Sequence, residues 1–229
     1  MGYLLRVELP DVPGALGSVA SALGRAGADI LAMDVVERTT GRAVDDLVVD
    51  LPGGPPDVLI AAAESVDGVR VESVLPDPGV ASAHREWELV EALTAEPDRA
   101  LDTLAALLPE VLRVGWAVVL QVGEGGECEV VTAGGGAPTA LTAVTKLSGL
   151  TRSQRLDTTE PWVPEDWRVV ATELAAAPIA ARLVVLVGRP GGPAMRDSEV
   201  ARLGHLAGLT AAVGRLAETP GPAHRTVSG

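Results

Sequence analysis

Residues 3–9, YLLRVEL, alternate: Leu5, Val7 and Leu9 fall on one side, Leu4, Arg6 and Glu8 on the other, the period-two pattern of a strand. A DVPG turn follows at 11–14, and beyond it Leu16, Val19, Ala20 and Leu23 recur at helical spacing. Pro13 suits a first helical turn, where its missing N–H is no loss, and Gly27 suits a helix C-terminus. DILAMDVVER (29–38) and AVDDLVVDL (43–51) read as strands joined by TTGR, a hairpin-like turn with Gly41. PPDVLIAAAESVDG opens on prolines and an Asp57 cap, then sets Val58, Ala62 and Val66 on one helical face. VRVESVL (69–75) closes the series as a short strand.

The order β-α-β-β-α-β is the ferredoxin-like split βαβ arrangement. PDPGVASAH, from Pro76, reads as a linker, with a domain boundary near residue 78. REWELVEAL and DRALDTLAALLPEVL read as two helices broken at Pro97. GWAVVLQV and ECEVVTA are strands around a GEGG turn, and residues 134–166 are irregular apart from a short helix expected around PTALTAVTKL. WRVVATEL and AARLVVLVG are strand-like; RPGGPAMRDSE is a loop; DSEVARLGHLAGLTAAVGRLAE is a long helix with Asp197 or Ser198 as its cap. The expected partition is a first domain over 1–77, a linker helix over 78–97, a second domain over 98–218 and a disordered tail over 219–229, the whole chain being α+β.

Composition narrows the functions open to such a chain. Hydrophobic residues make up 47% of the 229, ample for a core, but aromatics only 2%, so packing relies on Val, Leu and Ala. A net charge of −13 argues against a nucleic-acid surface, which needs clustered cations. The single cysteine, Cys128, has no internal disulfide partner and fits a reducing compartment. The N-terminus reaches an Arg too soon for a signal-peptide core, and LAAAPIAARLVVLVG is interrupted by Pro178 and Arg182, so no membrane span is expected. A cytoplasmic chain is the expectation.

LRVELPDVPGALGSVASALGRAGADI, with the two strands and the helix after it, resembles an ACT domain over residues 3–75. The residues that carry the resemblance are Asp11, Pro13, Gly14, Leu16, Asp29 and Ile30. It implies a regulatory module that binds an amino acid, in many cases across a homodimer interface of side-by-side sheets. The C-terminal part, through PIAARLVVLVGRPGG and MRDSEVARLGHLAGLTAAVGRL, resembles a GAF domain, an antiparallel-sheet sensor of small molecules whose ligands vary too widely to carry over.

Asp11, Val12, Pro13, Gly14, Ala15, Leu16, Asp29 and Ile30 are therefore the candidate ligand-binding residues. Asp11 has two readings that coexist: it caps the helix, or it takes a ligand's ammonium group. Gly14 lets a ligand approach the backbone, and the N–H groups of Gly14, Ala15 and Leu16 can hold a carboxylate. Asp29 is a solvated turn residue or the second acidic wall of the pocket; it cannot donate to a carboxylate.

Catalytic signals are weak. His84, His205 and His224 lack metal spacing, GGGAPTALT has no Gly-Lys-Ser/Thr, GRPGGP lacks a dinucleotide-site layout, and Cys128 alternates inward with Val130 as a core residue. Gly204, Gly208 and Gly214 inside the last helix point to close packing or to a dimer seam. The expectation is a non-enzymatic regulatory homodimer without cofactor or metal, acting through a partner enzyme or regulator. The alternatives are a regulatory subunit of a separate amino-acid biosynthetic enzyme, or a diverged enzyme using the C-terminal domain.

Overall fold

The computed structural model describes residues 1–76, 85–138, 145–170 and 172–217; the expected linker at 77–84, most of the helix expected around 138–147, and the tail lie outside these, as do His84 and His224. The described chain forms two compact units. The first is Met1–Arg85 with Gly191–Glu199, and the second is Glu86–Pro190 with the residues from Val200 onward.

In the first unit, β1 (Gly2–Pro10), α1 (Ala15–Arg25), β2 (Asp29–Thr39), β3 (Arg42–Asp50), α2 (Asp57–Glu64) and β4 (Arg70–Pro76) follow the expected β-α-β-β-α-β order. The sheet runs β2-β3-β1-β4, and each neighbouring pair is antiparallel. Tyr3, Leu5, Val7 and Leu9 of β1 line one face with Leu47 and Val49 of β3, and Val19 and Leu23 of α1 and Leu59 and Ala63 of α2 cover them. Fully burying each large aliphatic side chain contributes about 1.5–3 kcal/mol, which is what holds both helices to this face.

Two expected caps are not formed. The residue before α1 is Gly14 at φ 90°, and no side chain caps the helix. Asp11 lies three residues earlier, in the turn, where its N–H donates to Gly41 O at 3.1 Å. Pro13 therefore belongs to the turn and not to the first helical turn. Pro56 precedes α2, so Asp57 sits inside its first turn and opposes the dipole instead of capping. Gly27, at φ 84°, ends α1 as expected, with its N–H on Gly24 O.

In the second unit, α3 (Arg85–Ala95) and α4 (Ala100–Val111) are separated by a single 3-10 turn at Pro97–Arg99, as the break at Pro97 predicts. Then come β5 (Trp116–Val122), β6 (Cys128–Gly135), β7 (Gln154–Leu156), α5 (Glu165–Val169), β8 (Glu173–Ala180), β9 (Leu183–Arg189) and α6 (Asp197–Ala217). The antiparallel sheet runs β6-β5-β9-β8-β7. Strand β6 crosses α4 so closely that a Cβ on Gly134 would run into Ala105 O. Pro109, inside α4, has no N–H for that same carbonyl.

WRVVATEL is not one strand. Its first residues belong to α5, with Pro164 before it and Glu165 and Asp166 in its first turn; β8 begins only at Glu173. Pro178 sits within β8, beyond the β7 ladder, which spans Leu174–Ala176 only, so its missing N–H costs no bond to that neighbour. Of the α6 glycines only Gly204 is closely packed: a Cβ there would lie 2.7 Å from Ser153 Oγ, whereas at Gly208 and Gly214 it meets nothing within 4 Å. Cys128 is half-buried beside Val130 against the sheet's core cluster. Among the described residues no helix is long and apolar enough to cross a membrane.

Candidate ligand site at the β1–α1 turn

The turn after β1 is held by a salt bridge. Arg38, near the end of β2, donates to Asp11 through Nη2 at 2.6 Å and Nε at 3.3 Å. Asp11's hydrogen bond and charge raise the Arg38 guanidinium above its ordinary value. Asp11 is thus a lock between the turn and the β2–β3 hairpin. Val12 is 58% exposed, Pro13 and Gly14 are exposed, and Ala15 and Leu16 pack against the core. Of the three expected backbone donors, Ala15 N–H is already used, donating to Val12 O at 3.2 Å. A shallow groove of about 330 Å³ runs along α1 from Gly14 past Gly17, Ser18 and Ser21 to Arg25, closed by Ser65 and Val66.

Asp29 is not beside this turn in the same chain. It pairs with Asp50 and, through β3, with Gly2, whereas Arg38 and Asp11 stand at the Pro10 end. At about 3.3 Å per residue, a nine-residue strand separates the two ends by roughly 25 Å. Ile30 is half-buried on the core.

The sequence reading missed Asp45. It lies opposite Val7 on β1 and Val35 on β2, in the row otherwise filled by the core. It is 4% exposed, and its Oδ1 is buried with no hydrogen-bond partner among the described residues. Burial raises its carboxyl above the ordinary range; Arg38's charge opposes this, and Asp46 and Asp11 add to it. The signal was present in AVDDLVVDL, because two adjacent aspartates in a strand must face opposite sides, and one side is the core.

The neighbouring Asp46 faces the other side and is fully used. Arg6 forks onto it, Nε to Oδ1 at 2.7 Å and Nη2 to Oδ2 at 2.9 Å, and also onto both Glu199 oxygens at 3.1 Å. Burial works against the Arg6 charge, but the bonds and charges of Asp46 and Glu199 outweigh it and raise the guanidinium above its ordinary value. Glu199 also accepts the Arg196 backbone N–H at 2.8 Å, half of a capping box, while Ser198 Oγ makes no bond among the described residues. Arg196 pairs with Glu72 and stands 3.7 Å from Glu37 and 3.9 Å from Glu8. Gly191–Glu199 is therefore a strap across the sheet face that α1 and α2 leave open.

A family model of the ACT domain matches residues 3–64. The N-terminal region is an ACT domain. It supplies all the candidate residues named from the sequence, and the ACT family comprises small-molecule-binding regulatory domains. No curated protein matches the chain.

Among solved structures, the GAF domain of an Acinetobacter phosphoenolpyruvate-protein phosphotransferase is similar at 11% identity, covering 61% of this chain and 98% of its own, with a TM-score of 0.45. A free methionine-R-sulfoxide reductase from Neisseria meningitidis, in complex with its substrate, is similar at 19% identity, covering 60% and 96%, with a TM-score of 0.46. A Galdieria sulphuraria protein described as unknown covers 82% of this chain and 78% of its own at 15% identity, with a TM-score of 0.31. All three TM-scores lie below 0.5.

That unit holds a cavity of about 350 Å³ between the Pro97 turn, the β8–β9 turn and α6, lined by Leu101, Ile179, Leu183 and Thr210, and one of about 250 Å³ lined by Glu124, Ser148 and Arg182. Three of the four tryptophans converge on its core, with the rings of Trp116 and Trp167 4.8 Å apart and Trp162 packed nearby. His205 is exposed on α6. Among the described residues no group of three His, Cys, Asp or Glu side chains could hold a metal ion.

Proposed function

We propose that the protein is a non-enzymatic, ligand-responsive regulator whose ACT domain binds an amino acid in a site completed by a second copy of the chain. The observation that carries this reading is the open edge of the ACT sheet. Strand β2 ends the sheet and displays Leu31, Met33 and Val35, which are 61%, 44% and 54% exposed. An unpaired apolar edge strand favours pairing with another strand, and a twofold axis pairs it antiparallel to its own copy. That pairing sets the Asp29 end of one β2 beside the Arg38 end of the other. The Asp11 turn of one copy and Asp29 of the second copy, far apart within a chain, then flank one site. The second unit, with the cavities lined by Leu101 and Thr210 and by Glu124 and Arg182, is read as a further sensor whose response passes to a partner protein.

The test is light scattering at micromolar concentration followed by calorimetry with the twenty standard amino acids. A dimer mass and binding of at least one amino acid are expected. A clean monomer mass, or no binding at all, overturns the reading.

A further inference from the structure

Strand β3 carries a polar residue in the wrong row. Asp45 occupies a core-facing position between Val7 and Val35, and its Oδ1 has no hydrogen-bond partner among the described residues. A buried carboxylate without a partner costs stability, and a donor brought to it by a ligand would offset that cost. The nearby Arg38 acts on it through charge alone and gives its hydrogen bonds in this region to Asp11. Asp11, Arg38 and Asp45 together therefore leave one negative charge uncompensated, on the helix-side face at the β1–α1 end of the sheet. Asp45 lies one strand in from the edge strand β2, beside Val35, which is 54% exposed.

We infer that Asp45, and not Asp11, receives the ammonium group of the bound amino acid, a role that rests on the amino-acid reading of the ACT site above. Asp11 was the residue expected to do this, but its negative charge is already matched by the Arg38 fork. Asp45 has an empty acceptor, low exposure and an unmatched charge. An ammonium group supplies the three donors and the single positive charge that the site lacks. The charge left by Asp45 also selects against ligands that carry only a carboxylate.

The experiment titrates the full chain with each of the twenty standard amino acids, then with the des-amino carboxylic acid of each one that binds, for wild type and for Asp45→Asn. The expected result is a loss of at least tenfold in amino-acid affinity on Asp45→Asn, little binding of the des-amino acid by either protein, and a ligand-free melting temperature for Asp45→Asn at or above that of wild type. Asp45→Ser, which leaves space in place of an amide, follows the same pattern. Affinity within twofold of wild type in Asp45→Asn, or equal binding of the des-amino acid by wild type, overturns the assignment while the amino-acid reading stands. A lower ligand-free melting temperature in both variants also overturns it, because the carboxylate is then structural. If no amino acid binds wild type, the assignment and the reading beneath it fall together.

Discussion

Asp45 and Asp46 are adjacent and identical in chemistry, yet the strand turns one to the core and the other to the Arg6 fork. Their consequences for stability have opposite sign. A carboxyl whose folded-state value is raised binds its proton more tightly folded than unfolded, so stability falls as pH rises from the ordinary Asp value of 3.8 towards the raised one. The melting-temperature advantage of Asp45→Asn should therefore be absent below about pH 4, grow above it and then level off; a scan of melting temperature against pH checks this. Glu8 behaves the other way. The Arg42 hydrogen bond lowers it, with burial opposing and the Arg42 and Arg70 charges helping, so its contribution is lost as pH falls below the ordinary Glu range. Gly14 is the other residue on which the turn depends. At φ 90° with open space around its Cβ position, Gly14→Ala should cost about 1–2 kcal/mol through the backbone alone, read from the urea midpoint. The sequence pointed to Asp11 and Gly14 through the turn motif. It did not disclose that Asp11 is locked, because its partner Arg38 is 27 residues away and is brought back by a hairpin.

At the scale of elements, the split βαβ order was legible because each strand and helix of the first unit is long enough to show its period and is bounded by Gly or Pro. Strand β7 was not, since three residues at Gln154–Leu156 carry no measurable alternation. Helix α5 was hidden because its last residue, Val169, and the Val170 that follows it, 77% and 49% exposed, mimic a strand core. The glycines of α6 separate two explanations that look alike in sequence. Gly208→Ala should stabilise the protein by about 1 kcal/mol, because nothing opposes the methyl group, while Gly204→Ala should destabilise it, because Ser153 stands in the way; chemical denaturation of both variants decides. On β2, Met33→Glu places a charge in the exposed apolar strip and should shift the light-scattering mass towards monomer without lowering the melting temperature of the monomer.

At the scale of the whole molecule, the strap Gly191–Glu199 is what continuous reading of the sequence assigned elsewhere: it lies in the segment expected to belong to the second domain, and it groups with the first unit. Ion pairing across a separation of 193 residues leaves no local pattern to read. Arg6 and Glu199 have side chains only 4% and 11% exposed, so Glu199→Ala should cost about 2 kcal/mol, the scale of buried hydrogen bonds to a charged group, and the loss should appear in unfolding of the full chain. The strap also changes what counts as a separable piece. The first unit is written in two passages of the gene, so the polypeptide crosses from one unit to the other three times, after residues 85, 190 and 199. A fragment stopped at residue 85 would be that unit with its belt removed, leaving Arg6 with half its acceptors and Glu8, Glu37 and Glu72 without Arg196. Recombination at a single junction therefore cannot transplant this regulatory module intact; it moves only with both passages, and so with everything encoded between them.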